Sequence, residues 1–263
     1  MNKLAKLLSY KSAGKKLTCL TAYDASFARL LDSCGVDILL VGDSLGMVVQ
    51  GHQSTVPVTL DDMIYHSSLV RRGAPNAWLI ADLPFMAAVS LNDALYSAKQ
   101  LLQQGGVQMV KIEGDQSVSP IISALTQQGV PVCAHLGLLP QQALRLGYKT
   151  VGKTADESDK LLEDAIALED AGASMLVLEC VVPEVAARIS QALTIPTIGI
   201  GSGNLTDGQV LVLHDVLGLS AYPPSFAPSF LTNGRNIEQA IIAFITDVRS
   251  GLFPKNREDK KDV

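Results

Sequence analysis

The chain has 263 residues, of which 48% are hydrophobic and 18% are charged, and its formal net charge is -5 at pH 7. This balance favours a globular protein with a sizeable buried core, and it gives no electrostatic reason to expect nucleic acid or an acidic membrane as a partner. The four cysteines form no CxxC pair, so we expect neither a zinc site nor a disulfide framework.

The sequence predicts a short helix at the start of the chain and a charged segment at its end. Leu4, Leu7 and Leu8 share one face of a predicted short N-terminal helix. Lysines interrupt that face before it could form the apolar core of a secretory leader, and no later apolar run is long enough to span a bilayer. We therefore expect a cytoplasmic protein. Residues 255–263 predict a charged, frayed tail.

Eight short runs rich in leucine and β-branched residues predict strands. They cover residues 17–20, 37–41, 78–81, 108–112, 130–134, 175–178, 197–200 and 210–213. Because these runs are almost wholly apolar, they are typical of a parallel sheet that is covered on both faces.

Helical patterns lie between the strands. Ser90 and Asp93 form a capping-box pattern at the start of a helix that ends at Gly105. Further helices are predicted from Ser119 to Gly129 and over residues 161–171, 183–192 and 236–248. Strand and helix are thus expected to alternate throughout. This pattern favours one α/β domain over residues 1–263, a closed (β/α)8 TIM barrel rather than an open doubly wound sheet.

Polar side chains stand at the ends of several strands, where a barrel places its active site. They are Asp43 and Ser44 after the second strand, Asp82 after the third, Lys111 and Glu113 on the fourth, His135 on the fifth and Glu179 on the sixth. Any one of the acids could instead cap the helix that follows it. Four carboxylates around one mouth would repel one another, however, so their convergence favours a divalent cation in addition to Lys111.

The residue types at this mouth indicate the chemistry. Oxygen ligands without a thiolate or histidine cluster point to Mg²⁺ or Mn²⁺ rather than zinc. Such an ion could chelate a 2-oxo acid and draw charge toward the ketone oxygen as an enolate develops. Glu179, on a different strand from the candidate ligands, is then the natural base. His135 is as often a core residue as a catalyst, so we treat it as a candidate for pocket lining.

Seven segments of the chain, taken together, are specific. In order they are LLVGDSLGMVVQGHQSTVPVTLDDMIYH, VRRGAP, ADLPFM, MVKIEG, PVCAHLGLLPQ, LVLEC and IGIGSGNLTDGQVLVLHD. From about residue 18 to residue 251 the chain resembles the ketopantoate hydroxymethyltransferases. The resemblance implies a barrel of the phosphoenolpyruvate/pyruvate type and transfer of a hydroxymethyl group from 5,10-methylenetetrahydrofolate to 3-methyl-2-oxobutanoate. The product would be 2-dehydropantoate, on the route to pantothenate and coenzyme A.

The resemblance also implies a cofactor, an assembly and roles for single residues. It implies one Mg²⁺ per subunit and a homodecamer. Carried over by motif, it assigns Asp43, Asp82 and Glu113 to the metal, Asp43, Ser44, Asp82 and Lys111 to the oxo acid, and Glu179 to proton acceptance.

Two other functions stay open on the sequence. One is a carbon–carbon lyase of the same barrel superfamily acting on a related 2-oxo acid, but such lyases usually carry a catalytic cysteine in a Lys-Lys-Cys-Gly-type loop, and this chain has none. The other is a barrel that binds ligands without catalysis, for which a missing base or a broken metal set would be expected. Both sets are complete here.

Overall fold

Eight parallel strands form one closed barrel in the computed structural model, which describes residues 3–255. Each strand pairs with the next in the chain, and the eighth pairs with the first. The strands are β1 Leu17–Thr21, β2 Ile38–Val41, β3 Trp78–Asp82, β4 Met109–Glu113, β5 Val132–Gly137, β6 Met175–Glu179, β7 Thr197–Ile200 and β8 Gly208–Leu211. The predicted fold class is confirmed.

Helices connect most of the strands. They are α1 Lys3–Ser12, α2 Ala25–Cys34, α3 Leu45–Val48, α4 Leu60–Gly73, α5 Leu91–Gln103, α6 Ser119–Gln127, α7 Ala143–Leu146, α8 Ala155–Asp170, α9 Pro183–Ala192, α10 Leu213–Val216 and α11 Ile237–Arg249. Short 3-10 helices cover Gln116–Val118 and Pro140–Gln142. The predicted capping box of α5 is present, since the Ser90 side chain accepts from the Asp93 amide while the Asp93 carboxylate accepts from the Ser90 amide.

Both faces of the strands are buried because alternate residues join two different apolar clusters. Leu20 and Val110 pack in the layer that the helices share, whereas Cys19 and Met109 belong to the cluster inside the barrel. Leu7 of α1 joins that inner cluster. Helix α1 therefore closes the barrel at the amino-terminal ends of the strands and leaves the opposite end open.

The expected alternation of strand and helix is wrong between β7 and β8. Residues 201–207 connect these two parallel strands without a helix, although such crossovers usually need a dozen or more residues. The connection is tight because Gly203 has a φ of 78° and lies where a Cβ would come within 2.7 Å of Pro183. Strand β8 also begins at Gly208 rather than at residue 210, and Leu213 starts α10.

Helix α8 begins at Ala155, earlier than the predicted residue 161. Thr154 caps it by accepting a hydrogen bond from the Glu157 amide. The first turns are polar and largely exposed, so they carry no apolar periodicity from which a start could be predicted.

Two smaller expectations can be compared with the structure, and a third cannot. None of the four cysteines, all of which lie in the described region, is in a disulfide. Within residues 3–255 no helix is both long enough and apolar enough to cross a membrane. The predicted tail, apart from Lys255, lies outside the described residues.

Candidate active site

A cavity of about 1110 Å³ lies at the carboxyl ends of the strands. All of the site residues that the sequence predicts line it: Asp43, Ser44, Asp82, Lys111, Glu113, His135 and Glu179. The structure therefore brings the whole predicted set together, while the roles assigned to these residues stay predictions.

Strand geometry explains why these side chains converge. Asp82, Glu113 and Glu179 are the last residues of β3, β4 and β6. Lys111 and Glu113 share the parity of Met109, which packs inside the barrel, so both point inward. The register sets Lys111 beside Asp82, and Glu113 beside His135.

Lys111 is buried among carboxylates and stays charged there. Its Nζ lies 3.0 Å from Asp82 Oδ1, and the two residues are 5% and 3% exposed. Burial alone would lower the pKa of Lys111, but the charges of Asp82, Glu113 and Asp43 outweigh it and raise that pKa. The lysine is thus a fixed positive charge in the cavity.

One lysine does not balance the four carboxylates of this cavity. The pKa of Asp43 is raised well above its usual range, first by burial and then by the charges of Asp82 and Glu113. Such a shift means that further positive charge would stabilise the ionised site.

The predicted metal ligands share one pattern of hydrogen bonding, in which one oxygen of each carboxylate is held by the protein. Asp43 Oδ2 accepts from Gln141 Nε2 at 2.8 Å, Asp82 Oδ2 accepts from the Asp43 amide at 3.0 Å, and Glu113 Oε2 accepts from the Gln141 amide at 3.1 Å. Within the described structure, Glu113 Oε1 and Asp82 Oδ1 are buried and accept no hydrogen bond. The contact of Asp82 Oδ1 with Lys111 is an ion pair without hydrogen-bond geometry.

These buried carboxylate oxygens, neither of which accepts a hydrogen bond, fit a hard divalent cation such as Mg²⁺ or Mn²⁺. In the region 3–255, no group of three or more His, Cys, Asp or Glu side chains is arranged so that it could hold a metal ion by itself. An ion at this mouth would therefore use few protein ligands and complete its shell with water or substrate oxygens, as Mg²⁺ commonly does.

His135 lies at the centre of the site, 1% exposed, rather than at its edge. Its Nδ1 is 3.1 Å from Lys111 Nζ, and its Nε2 is 3.3 Å from Glu179 Oε2. Donation by Lys111 to Nδ1 assigns the imidazole proton to Nε2, which faces the glutamate. Burial and Lys111 lower the pKa of His135, but the nearby carboxylates of Glu113, at 3.6 Å from Nδ1, and Glu179 outweigh them, so that the pKa is raised.

Glu179 is the most accessible of the four acids whose contacts are described above. Its side chain is 17% exposed, against 4% for the side chains of Asp82 and Glu113, and Asp43 as a residue is 3% exposed. A base must reach a proton on the substrate, and of these four carboxylates Glu179 meets that condition best.

Two contact residues were not predicted from the sequence. The Tyr23 hydroxyl and Ser44 Oγ are 2.9 Å apart and share a hydrogen bond. Gln141 joins two of the acids. Its position in the segment HLGLLPQ, directly after the strand that carries His135, is a signal that could have found it.

Comparisons with known proteins point to one family. The family model of ketopantoate hydroxymethyltransferase matches residues 2–256. The 3-methyl-2-oxobutanoate hydroxymethyltransferase of Halorhodospira halophila is 47% identical over 252 residues, covering 95% of this chain and 92% of the relative. The enzyme of the same name from Shewanella sediminis is 51% identical over 250 residues, covering 94% of each.

Solved structures of lower identity share the fold. A putative phosphonomutase from Burkholderia cenocepacia J2315 superposes with a TM-score of 0.65 at 17% identity, covering 82% of this chain and 93% of that one. A 2,3-dimethylmalate lyase of the PEP mutase/isocitrate lyase superfamily gives 0.60 at 17% identity, covering 80% and 81%. These likenesses support the barrel type, whereas the family match and the relatives at about half identity decide the family. The chain therefore belongs to the ketopantoate hydroxymethyltransferase family.

Proposed function

We propose that the chain transfers a hydroxymethyl group from 5,10-methylenetetrahydrofolate to 3-methyl-2-oxobutanoate, forming 2-dehydropantoate and tetrahydrofolate for pantothenate biosynthesis. The observation that carries the proposal is the meeting of Lys111, Glu179 and the three buried acids in one cavity. The curated relatives that bear the name of this activity cover almost the whole chain.

The oxo acid is an anion and would enter a mouth that is rich in carboxylates. Lys111 supplies the fixed positive charge for it, and the Ser44 hydroxyl supplies a hydrogen bond. Asp43, Asp82 and Glu113 would hold Mg²⁺ between them, directly or through bound water, and the ion when bound supplies electrophilic polarisation of the ketone oxygen.

Glu179 would take the proton from C3 of the oxo acid. The electrons of that C–H bond move into a C2–C3 double bond, and negative charge develops on the C2 oxygen, where Lys111 stabilises it. His135, with Nε2 at 3.3 Å from Glu179 Oε2, orients the base. Water adds to the methylene carbon of the folate iminium, and the bond from that carbon to the folate nitrogen breaks, so that tetrahydrofolate leaves and formaldehyde remains in the site. The enolate carbon then bonds to the formaldehyde carbon, and the proton held by Glu179 passes to the new alkoxide oxygen, which becomes the hydroxyl of the product. No protein nucleophile is needed.

The size and lining of the cavity support a second, larger substrate. A volume of about 1110 Å³ exceeds what a small oxo acid needs, since drug-sized ligands fill pockets of roughly 300–1,000 Å³. Tyr148 and Phe226 offer aromatic surface in this cavity, and Lys149 and Arg235 offer positive charge. This combination suits the rings and the anionic tail of a folate.

The test is product formation by the purified chain. We expect 2-dehydropantoate, identified by mass spectrometry, when both substrates are supplied with Mg²⁺, and none when the folate is omitted. Product formed without folate, or cleavage of a branched 2-hydroxy diacid with no transfer to 3-methyl-2-oxobutanoate, would replace the proposal by the lyase alternative.

A further inference from the structure

Gln141 reaches two of the predicted metal ligands from the loop after β5. It is the middle residue of the short 3-10 helix Pro140–Gln142. Its side-chain Nε2 donates to Asp43 Oδ2 at 2.8 Å, and its backbone amide donates to Glu113 Oε2 at 3.1 Å. One residue thus connects carboxylates that come from the ends of β2 and β4.

A third hydrogen bond fixes the orientation of this amide. Gln141 Nε2 also donates to the carbonyl oxygen of Leu83 at 2.9 Å. A side-chain amide carries two N–H donors and can serve two acceptors at once. With one donor held by a backbone carbonyl just past β3, the other is aimed at Asp43.

These hydrogen bonds leave the opposite oxygen of a ligand free. Glu113 Oε2 is occupied by the Gln141 amide, whereas Glu113 Oε1 is buried and accepts no hydrogen bond within the described residues. Outer partners of metal ligands act in this way, since they orient the carboxylate and leave its second oxygen for the ion.

The neighbouring glutamine makes no such contact. The Gln142 side chain accepts a hydrogen bond from Arg145 at the exposed surface. Of these two adjacent glutamines in one 3-10 helix, only Gln141 contacts a predicted metal ligand with its side chain. The two residues therefore provide a matched pair for mutagenesis.

We propose that Gln141 is a positioning residue whose side chain orients Asp43, beside the Glu113 that its backbone amide holds, and so sets the affinity of the site for a divalent cation. The proposal rests on the proposed function, because that function requires the ion. It goes further by assigning this task to a residue outside the ligand set.

The test is Mn²⁺ binding by Gln141→Met, which keeps the length of the side chain but has no donor, with Gln142→Met as the control. Mn²⁺ titrations followed by the electron paramagnetic resonance of the free ion need no turnover. Loss of an outer partner typically weakens metal binding about 10- to 100-fold, so we expect a loss in that range for Gln141→Met and wild-type affinity for Gln142→Met. We also expect kcat to fall more than KM for the oxo acid rises.

A residue that only anchors the loop would give a different result. Gln141→Met would then lower the melting temperature of the metal-free protein and bind Mn²⁺ as tightly as the wild type, which overturns the proposal. If Gln141→Met does not fold, Gln141→Asn, whose amide is too short for both acceptors, is measured in the same way against the same expectation.

The two proposals fail in distinguishable ways. Wild-type protein that binds Mn²⁺ and turns over, beside an equally tight Gln141→Met, removes the role of Gln141 and leaves the proposed function intact. Wild-type protein that binds no Mn²⁺ and forms product in EDTA removes the metal from the proposed function, and the role of Gln141 with it.

Discussion

Lys111 Nζ and Asp82 Oδ1 lie 3.0 Å apart inside the barrel mouth, on strands whose register places the two residues side by side. The second oxygen of Asp82 is held by the Asp43 amide, so the carboxylate cannot turn away from the lysine without losing a hydrogen bond. The pair therefore fixes a positive charge among acids before any ligand arrives.

Replacing Lys111 by methionine should destabilise the protein by about 3 kcal/mol, the lower end of the cost of removing one partner of a buried ion pair. The substitution keeps the aliphatic stem but leaves Asp82 and its acidic neighbours without their positive partner. Urea unfolding in EDTA measures the change. Arg188→Met is the control, because the ion pair of Arg188 with Asp159 is exposed and should contribute less than about 1 kcal/mol. Equal stability of the two variants would show that the acids do not depend on Lys111.

Glu179→Gln should abolish exchange of the C3 proton of 3-methyl-2-oxobutanoate in deuterated water. The amide keeps the shape of the side chain but cannot accept a proton, and loss of a general base typically costs about 10²- to 10⁴-fold in rate. Proton NMR of the C3 signal follows the exchange without folate. Glu184→Gln is the matched control, since Glu184 is exposed at the start of α9 and does not line the cavity. Wild-type exchange in Glu179→Gln would assign the base to another residue.

Removal of divalent cations should stop product formation. The buried oxygens of Asp82 and Glu113 that accept no hydrogen bond are hard ligands, and Mg²⁺ or Mn²⁺ should restore turnover after EDTA is removed. The same treatment should lower the melting temperature, because the ion would balance buried carboxylates that Lys111 alone does not. Equal turnover with and without EDTA would contradict a metal-dependent mechanism.

The strand ends could be predicted from the sequence because two simple rules fix them. Alternation along a strand puts Lys111 and Glu113 on one face, and the carboxyl ends of parallel barrel strands meet at one mouth. Those rules bring Asp82 and Glu179 to the same place without any knowledge of the loops. The same reasoning fails for Gln141, because its contacts depend on the path of a loop that has no periodic pattern.

Local composition also explains the errors in the fold. The start of α8 is polar and largely exposed, so its residues give no apolar stripe to predict. The missing helix between β7 and β8 depends on the close approach of Gly203 to Pro183, a tertiary contact between segments that are separated in sequence. Neither feature can be obtained from periodicity alone.

Gly137 ends β5 next to the base, and its replacement by alanine should disturb Glu179 directly. Gly137 has a φ of 104°, and a Cβ there would lie 2.1 Å from the carbonyl oxygen of Glu179. A backbone oxygen cannot move without shifting the end of β6, where the base is attached. We expect Gly137→Ala to lose about 3 kcal/mol of stability, at the upper end of the range for one strained residue, and to lower kcat at unchanged Mg²⁺.

Gly129→Ala separates that contact from backbone strain alone. Gly129 also has a positive φ, of 80°, but nothing lies within 4 Å of the position of its Cβ. The cost there should be limited to the conformational penalty of about 1–2 kcal/mol, with kcat unchanged. Urea unfolding and steady-state kinetics on both variants show whether the steric contact at Gly137 costs more than backbone strain alone. A Gly137→Ala variant that is no less stable than Gly129→Ala and retains full kcat would contradict this expectation. That result would mean that the backbone at the end of β6 can shift at little cost in free energy, and that packing against β5 does not set the position of Glu179.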